Sequence, residues 1–448
     1  MKIKEDGVIA ALTRGDAATK LSAIIMGAGL AAHKQLVKGI AVFVIEIAYI
    51  LFMINKGISC LADLPGLGDS LQEKVWNEEL GVFEYTAGDN SILILLYGVA
   101  VLVVTAAFIV LWMLQLSRSF KLEQDLKNGK PVMNFREELA SLKHQNVHVT
   151  LMSLPMLGIL LFNIVPLLFM ISMAFTNYSK ENDKLVLFDW VGLKNFARVL
   201  NFNGNIGRQF WHVLAWTIVW AFFATFLNYI MGMILALLIN RRDTRIKGFW
   251  RFCFILSIAV PQFVSLLIMH IMLQPQGAVN VILQNLGITS SALPFWSDAT
   301  WARVTIIVIN LWIGIPYTML QVTGILQNIP ADLYEAAKVD GAGPVVTFFK
   351  ITLPYTLFVT TPYLITSFTG NINNFNVIYL LSGGGPTYVG DTAGQTDLLI
   401  TWLYKLTVDQ QYYNIGAVIG IFTFVVLSIV ALVTYRNSGS YKNEEEFM

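Results

Sequence analysis

The sequence predicts an all-α polytopic membrane protein with eight transmembrane helices, and three observations carry that expectation. Of its 448 residues 56% are hydrophobic and only 13% charged, with a mean hydropathy of +0.62. Soluble domains carry about 25% charged residues, so the charge deficit is the sharper signal. Long apolar stretches also recur along the whole chain. A soluble protein of this length would need a solvated surface that 59 charged side chains could hardly cover. The net charge of +1 leaves no broad field for nucleic acid, and two cysteines, Cys60 and Cys253, cannot make a disulfide framework. Neither CxxC nor GxxxxGK spacing occurs, so the sequence assigns no metal and no ATP site to this chain.

A membrane span needs roughly 17–25 mostly apolar residues. Eight stretches qualify or nearly qualify: 39–54, 91–114, 149–175, 211–239, 249–273, 304–326, 355–381 and 415–435. The earlier run 21–32 is too short to span. Flanked by Lys20 and Lys34, it reads as an interfacial or re-entrant helix, because Glu5, Asp6 and Asp16 spoil the basic start of a cleaved signal.

Lysine and arginine resist translocation, so their distribution orients the spans. Alternate loops place 21 of the 30 on the side holding both termini, including Lys2, Lys4, Lys38, Arg118, Arg136, Arg241, Arg242, Arg251, Lys338, Lys350, Arg436 and Lys442. Both termini are therefore expected in the cytoplasm. The first outside loop is acidic, with Asp63, Asp69, Glu73, Glu78, Glu79, Glu84 and Asp89. Ion-coupled carriers place carboxylates or histidines along an interior path. Here only Glu46 and His270 lie clearly within spans. Glu46, about two turns from Lys38, reads as snorkelling or pairing near the interface, and His270 as a satisfied histidine near the outer end of the fifth span. Any driving force is expected from a partner.

The segment 328–354, between the sixth and seventh spans, reads as a cytoplasmic helix-turn-helix. Asn328 can cap the first helix, Pro330 suits its first turn, and Gly341 with Gly343 stops it. Pro344 starts a second short helix, and Pro354 marks its junction with the seventh span. Ala336 and Ala337 offer a small-residue face, Tyr334, Val339, Phe348 and Phe349 apolar knobs, and Glu335 and Asp340 charge. Composition alone permits both a docking element and a loop folded back on its own bundle.

The spacing Glu335-Ala336-Ala337, three residues, Gly341, nine residues, Ile351, one residue, Leu353-Pro354 resembles the EAA signature of membrane subunits from binding-protein-dependent ABC importers. The stretch 249–437 is similar throughout to the large membrane subunit of maltose and maltodextrin transporters, including Asp340-Gly-Ala-Gly-Pro, Phe349-Lys-Ile-Thr-Leu-Pro and Asn373-Asn-Phe. The resemblance implies the type I permease fold: a six-span core, 149–435, preceded by a segment 1–38 and two accessory spans within 39–148, and followed by a tail 436–448. It further implies that the coupling helices dock on a cytoplasmic ATPase, with Glu335 facing a basic residue, Ala336 and Ala337 allowing close packing, and Gly341 forming the bend. Implied partners are a second EAA-bearing permease subunit, two copies of the ATPase, which would carry the ATP and Mg, an extracytoplasmic solute-binding protein, membrane lipid and an oligosaccharide. The outer loop 176–210, about 35 residues, is too short for the folded domain found there in some relatives.

A solute crossing the bundle needs polar side chains facing an interior path. Ser367, Asn371 and Asn374 follow i, i+4, i+7 spacing, with Tyr363 a turn earlier, and amides suit the hydroxyls of a neutral sugar. In the sixth span Asn310, Trp312, Gly314, Pro316 and Tyr317 form a second set, where proline loosens the helix and aromatic rings suit a pyranose face. Membrane amides also serve as interhelical glue, so both readings stand on spacing. The resemblance to maltose permeases implies sugar-facing positions at Ser367, Gly370 and Asn371 in the seventh span and Asn310, Ile313, Gly314 and Tyr317 in the sixth. Ile258 and Gln262 stand where those permeases can carry a tyrosine and a serine, and Gly370 lacks the aromatic ring found at its position. The expected function is thus a non-catalytic permease subunit for a neutral oligosaccharide such as a maltodextrin. A competing class, an integral-membrane enzyme acting on lipid-linked sugars, would have to use Asp391 and Asp397. An independent secondary carrier conflicts with the uncharged spans. Residues 383–386 read as a turn ending the seventh span rather than a phosphate loop, Asn177-Tyr178-Ser179 is a chance-level sequon, and Glu444 to Glu446 a solvated end.

Overall fold

The computed structural model describes residues 7–71, 73–77, 81–85, 88–241 and 243–437. The N-terminal Lys2 to Asp6, Glu78, Glu79, Arg242 and the tail with Lys442 and Glu444 to Glu446 lie outside them. The chain divides into two compact units, Met1–Gly192 and Leu193–Met448.

In the first unit, short helices α1 (Val8–Arg14), α2 (Ala17–Leu21) and α3 (Ala28–Ala32) precede α4 (Leu36–Phe52) and α5 (Ile58–Asp63), which a wide π-helical turn joins into one run. The 21–32 stretch is therefore not one helix: Gly27, at φ +84°, starts α3 after a break. Helix α6 (Ser91–Lys127) is 37 residues long, capped by Asn90, and its C-terminal half carries the N-terminal helices. Ala10 and Ala11 pack on Leu116 and Phe120, and Met26 and Leu30 on Leu122. Polar bonds fix the same contact: Asp16 N–H and Thr19 Oγ1 each donate to Glu123 Oε2 at 2.9 Å, and Gln115 Nε2 donates to Ser22 O at 2.8 Å. Burial works against the Asp16 charge, but the Thr19 N–H and His33 hold its carboxyl below the usual range.

Glu46 does not pair with Lys38. Its Oε2 accepts the N–H of Met26 at 2.8 Å, while Lys38 bonds Glu138 at 2.7 Å. The sole sheet is an antiparallel hairpin of β1 (Lys74–Asn77) and β2 (Val82–Tyr85) in the acidic loop, a departure from an all-α chain among the described residues. Trp76 packs edge-on against Phe83 there, and Lys74 lies over the Phe83 ring. After α7 (Phe135–Ser141), α8 (Val147–Ile159) and α9 (Val165–Met173) form a further long apolar run with no buried residue.

The second unit opens with α10 (Lys194–Leu200) and a long span made of α11 (Asn205–Phe222), a π-helical turn at Phe223–Leu227, and α12 (Asn228–Asn240). Helices α13 (Lys247–Ala259) and α14 (Gln262–Met272) meet at an 86° bend where Val260-Pro261 breaks the ladder. After α15 (Ala278–Asn285) come the unbroken α16 (Ala299–Asn328) and the short α17 (Ala331–Val339). Asn328 ends α16 instead of capping α17, whose N-cap is Pro330. From α18 (Pro344–Thr347) through α19 (Leu353–Ile372) the chain is one helical run, so Pro354 marks no junction. A wide turn at Phe348–Thr352 accommodates the proline ring, which in a regular helix would strike the carbonyl four residues back. The run breaks at Asn373, and α20 (Phe375–Ser382), α21 (Leu399–Tyr404) and α22 (Tyr413–Asn437) complete the unit.

Among the described residues six helical runs are long and apolar enough to cross a membrane, seven with the bent pair. The predicted seventh span, α19 with α20, is not among them although α19 has 20 residues; its threonines and asparagines dilute the apolar content. Two apolar cores hold the unit. One joins Trp216, Trp220 and Ala224 to Leu266, Ile306, Ile309, Val377 and Leu381. The other joins Tyr229, Met233 and Ala236 to Met319 and Val322, with Phe348, Leu353 and Leu364 against it.

The loop after α20 is rigidly built. Gly383 and Gly384, at φ +58° and +81°, end that helix as a turn, as its sequence predicts. Asp397 is fully buried, accepting the Gly394 N–H at 2.7 Å, the Thr401 hydroxyl at 2.9 Å and Lys405 Nζ at 2.6 Å. Burial pushes its carboxyl up against the pull of Lys405.

Candidate functional site

Between the two cores lies a cavity of about 410 Å³. Three interruptions of regular helix converge on it: the π turn before α12, the bend at Val260-Pro261, and the break at Asn373. Broken backbone at membrane depth is tolerated where it lines a cavity rather than lipid. The fourth span contributes Thr225 and Asn228, the bent pair Ser257 through Gln262 with Ser265, α16 Asn310, Trp312 to Gly314, Tyr317 and Thr318, and α19–α20 Tyr363, Ser367, Asn371 and Asn374. Among the described residues no acidic, basic or histidine side chain lines it.

The structure thus brings together Gln262, Asn310, Ile313, Gly314, Tyr317, Ser367, Asn371 and Asn374. Gly370 is not part of the lining, and a Cβ there would meet open space. Asn371 both lines the cavity and binds helices: its Nδ2 donates to Thr225 Oγ1 at 2.9 Å, and its carbonyl takes Trp220 Nε1 at 3.1 Å. Asn374 caps α20, accepting the Val377 N–H at 3.3 Å. Tyr317 and Tyr363 have ring centroids 6.5 Å apart, and Trp312 is largely exposed beside them, so flat apolar faces alternate with amides and hydroxyls. Gly314 does not open room for a ligand; the amide of Asn228 already occupies that room. Thr225, Asn228, Ser257, Ser265 and Thr318 were not singled out by sequence. A lone amide within the apolar fourth span was the available signal for Asn228.

The helical hairpin of α17 and α18 stands apart from the cavity. Gly341 takes φ +75°, a left-handed turn that side chains other than glycine rarely adopt. Tyr334 is not a free knob: its hydroxyl meets Thr352 Oγ1 at 3.1 Å and closes the hairpin. Glu335, Ala336, Asp340, Val339, Val345 and Phe349 remain exposed, with Ala337 half-buried. His270 is satisfied, as its position predicts, by the Leu381 carbonyl and by Gln274 at 2.8 Å. The carboxylates that an enzyme would need are committed elsewhere: Asp397 to the buried bonds above, Asp391 to Arg208 at 3.2 Å. Among the described residues, one group could gather three metal-ligating atoms, Asp16, His33 and Glu123, and Lys127 already bonds that glutamate.

The profile of the family described as binding-protein-dependent transport system inner membrane component matches residues 228–439. Over 440 residues the chain is 38% identical to the galactooligosaccharides transport system permease protein GanP of Bacillus subtilis, covering 95% of this chain and 98% of that one. It is 34% identical to the maltodextrin permease MdxF of the same organism, over 97% and 98% of the two chains. Against the maltose/maltodextrin permease MalF of Escherichia coli the match is 40% over 252 residues, 55% of this chain and 48% of that one. A crystal structure of a bacterial ABC transporter for the acidic polysaccharide alginate superposes with a TM-score of 0.56 at 22% identity, covering 67% of this chain and 97% of its own. With permeases matched over their full length and this helical core, the chain belongs to the inner membrane components of binding-protein-dependent transport systems.

Proposed function

We propose that this permease subunit carries a neutral oligosaccharide, most simply a maltodextrin, through the cavity between its two cores by alternating access. The observation that supports this reading above others is the lining: amides, hydroxyls and aromatic faces without a single formal charge. An acidic polysaccharide would call for lysine or arginine in that wall. A galactooligosaccharide is the second reading, favoured by the full-length similarity to GanP.

The bundle crosses the membrane eight times, α19 with α20 supplying the polar span, and both termini face the cytoplasm with the hairpin around Gly341. Glu335, Ala336, Ala337, Asp340 and Gly341 form the surface that docks on a separate cytoplasmic ATPase. A second permease subunit completes the pair, with one ATPase on each, and ATP and Mg are held by those subunits. ATP-driven closure of the ATPases moves α17 and α18, and the continuous run from Pro344 to Ile372 carries that motion directly to Ser367 and Asn371. A solute-binding protein outside delivers the sugar. Stimulation of ATP hydrolysis by a panel of loaded sugars in the reconstituted complex tests the reading. Maltodextrins alone support the first, galactooligosaccharides alone the second, and neither contradicts both.

A further inference from the structure

In a regular α-helix the N–H of Asn228 would bond the carbonyl of Ala224. In the wide turn Phe223–Leu227 it bonds Thr225 O instead, and the Asn228 side chain takes over, its Nδ2 donating to Ala224 O at 2.7 Å. That bond fixes which way the amide points. Oδ1 faces the other way and has no hydrogen-bond partner, although Asn228 is only 8% exposed. The neighbour sealing it is Gly314 on α16, where a Cβ would stand 2.3 Å from Nδ2 and 2.8 Å from Oδ1. Both residues belong to the cavity wall. Two residues along, Pro316 removes a backbone donor from α16 and makes that helix easy to bend.

We propose that Asn228 Oδ1 is a state-dependent substrate contact, closed against Gly314 in the present arrangement and accepting a sugar hydroxyl once α16 shifts off α12. The proposal rests on the neutral-oligosaccharide reading and adds the fourth span to the binding surface. Its physical basis is an asymmetry: a buried carbonyl oxygen without a donor disfavours the closed arrangement, and the same oxygen bonded to a hydroxyl favours the loaded one. The wide turn is what turns this amide toward the cavity, in keeping with the frequent place of π turns at functional sites.

A double cycle tests it. N228S removes the long-reach acceptor, while the serine hydroxyl can still bond the carbonyl four residues back and keep the turn capped. Half-saturating sugar for stimulated ATP hydrolysis is measured in the reconstituted complex, for the parent oligosaccharide and for analogues each lacking one hydroxyl. Comparing the two permeases with the same binding protein cancels that protein's own preference. At one hydroxyl position the wild type loses about tenfold and N228S loses nothing further. Equal losses in both permeases at every position overturn the proposal. Should N228S not assemble, N228A runs the same cycle. Absence of stimulation by any neutral sugar in the wild type overturns the sugar reading and this proposal with it, whereas stimulation with a flat cycle overturns this proposal alone.

Discussion

The cavity and the coupling hairpin treat their polar groups in opposite ways. In the cavity Asn371 is bonded to Thr225 and Asn374 to the start of α20, so these two amides are held in place before any solute arrives. In the hairpin Tyr334 is tied inward, whereas Glu335, Asp340, Val339 and Phe349 are left open. A small solute is recognised by groups held in place, whereas a protein partner supplies its own rigid surface to groups left free. The difference teaches where each kind of substitution acts: wall changes alter solute affinity, hairpin changes alter the link to the ATPase.

The largest effect is expected at the turn. Gly341→Val forces a β-branched residue to φ +75°, at about 1–3 kcal/mol, and distorts the docking bend. Sugar-stimulated ATP hydrolysis is expected to fall at least a hundredfold with membrane insertion unchanged, and a normally coupled variant would remove the hairpin from the link. Next is the rigid loop beyond α20. Asp397→Ala leaves Lys405 nearly buried without its partner, costing about 3 kcal/mol, read as a lower thermal unfolding midpoint of the purified protein. An unchanged midpoint would show the pair to be dispensable.

In the wall, Asn310→Leu removes one buried amide and is expected to raise half-saturating sugar about tenfold with maximal ATPase rate retained. A lower maximal rate at unchanged half-saturation would place Asn310 in coupling instead. The smallest effect concerns pH. The N–H groups of Ser70 and Asp69 and the Ser70 hydroxyl hold the Asp89 carboxyl below the ordinary aspartate range. A depressed folded value means the contact is fully present above the unfolded pKa and lost as pH falls through the folded one. The protection of the Asp69 and Ser70 amides, exchange taken relative to the intrinsic rate at each pH, should therefore stay constant from pH 7 to the usual aspartate value and fall only below it.

The sequence made the hairpin legible because its geometry rests on local chemistry: a glycine where φ is positive, a proline at the start of the second helix. Among the wall residues, helical spacing puts Ser367, Asn371 and Asn374 on one face and the polar and aromatic composition of the sixth span points to Asn310 and Tyr317, while Ile313 and Gln262 came only from the resemblance to maltose permeases. What escaped depends on contacts distant in sequence or on departures from regular helix. The wide turn at Phe223–Leu227 shows no proline or glycine, so nothing local announces that Thr225 and Asn228 turn inward. Gly314 is a wall position by its place in the sixth span, and nothing local shows that an amide from another helix fills the room beside it. Pro354 looked like a break because proline strikes a regular helix, and a wide turn absorbed it. Glu46 was paired in sequence with the nearest cation, while the structure gives it the backbone of Met26, twenty residues away.

The most direct test of the uncharged cavity is a comparison of two oligosaccharides of equal length, one neutral and one with uronic acid units. Each is delivered by a binding protein that holds it, and uptake is measured in proteoliposomes bearing the complete transporter. A wall without lysine or arginine predicts uptake of the neutral chain and at least a tenfold lower rate for the acidic one. Equal uptake of both would contradict it.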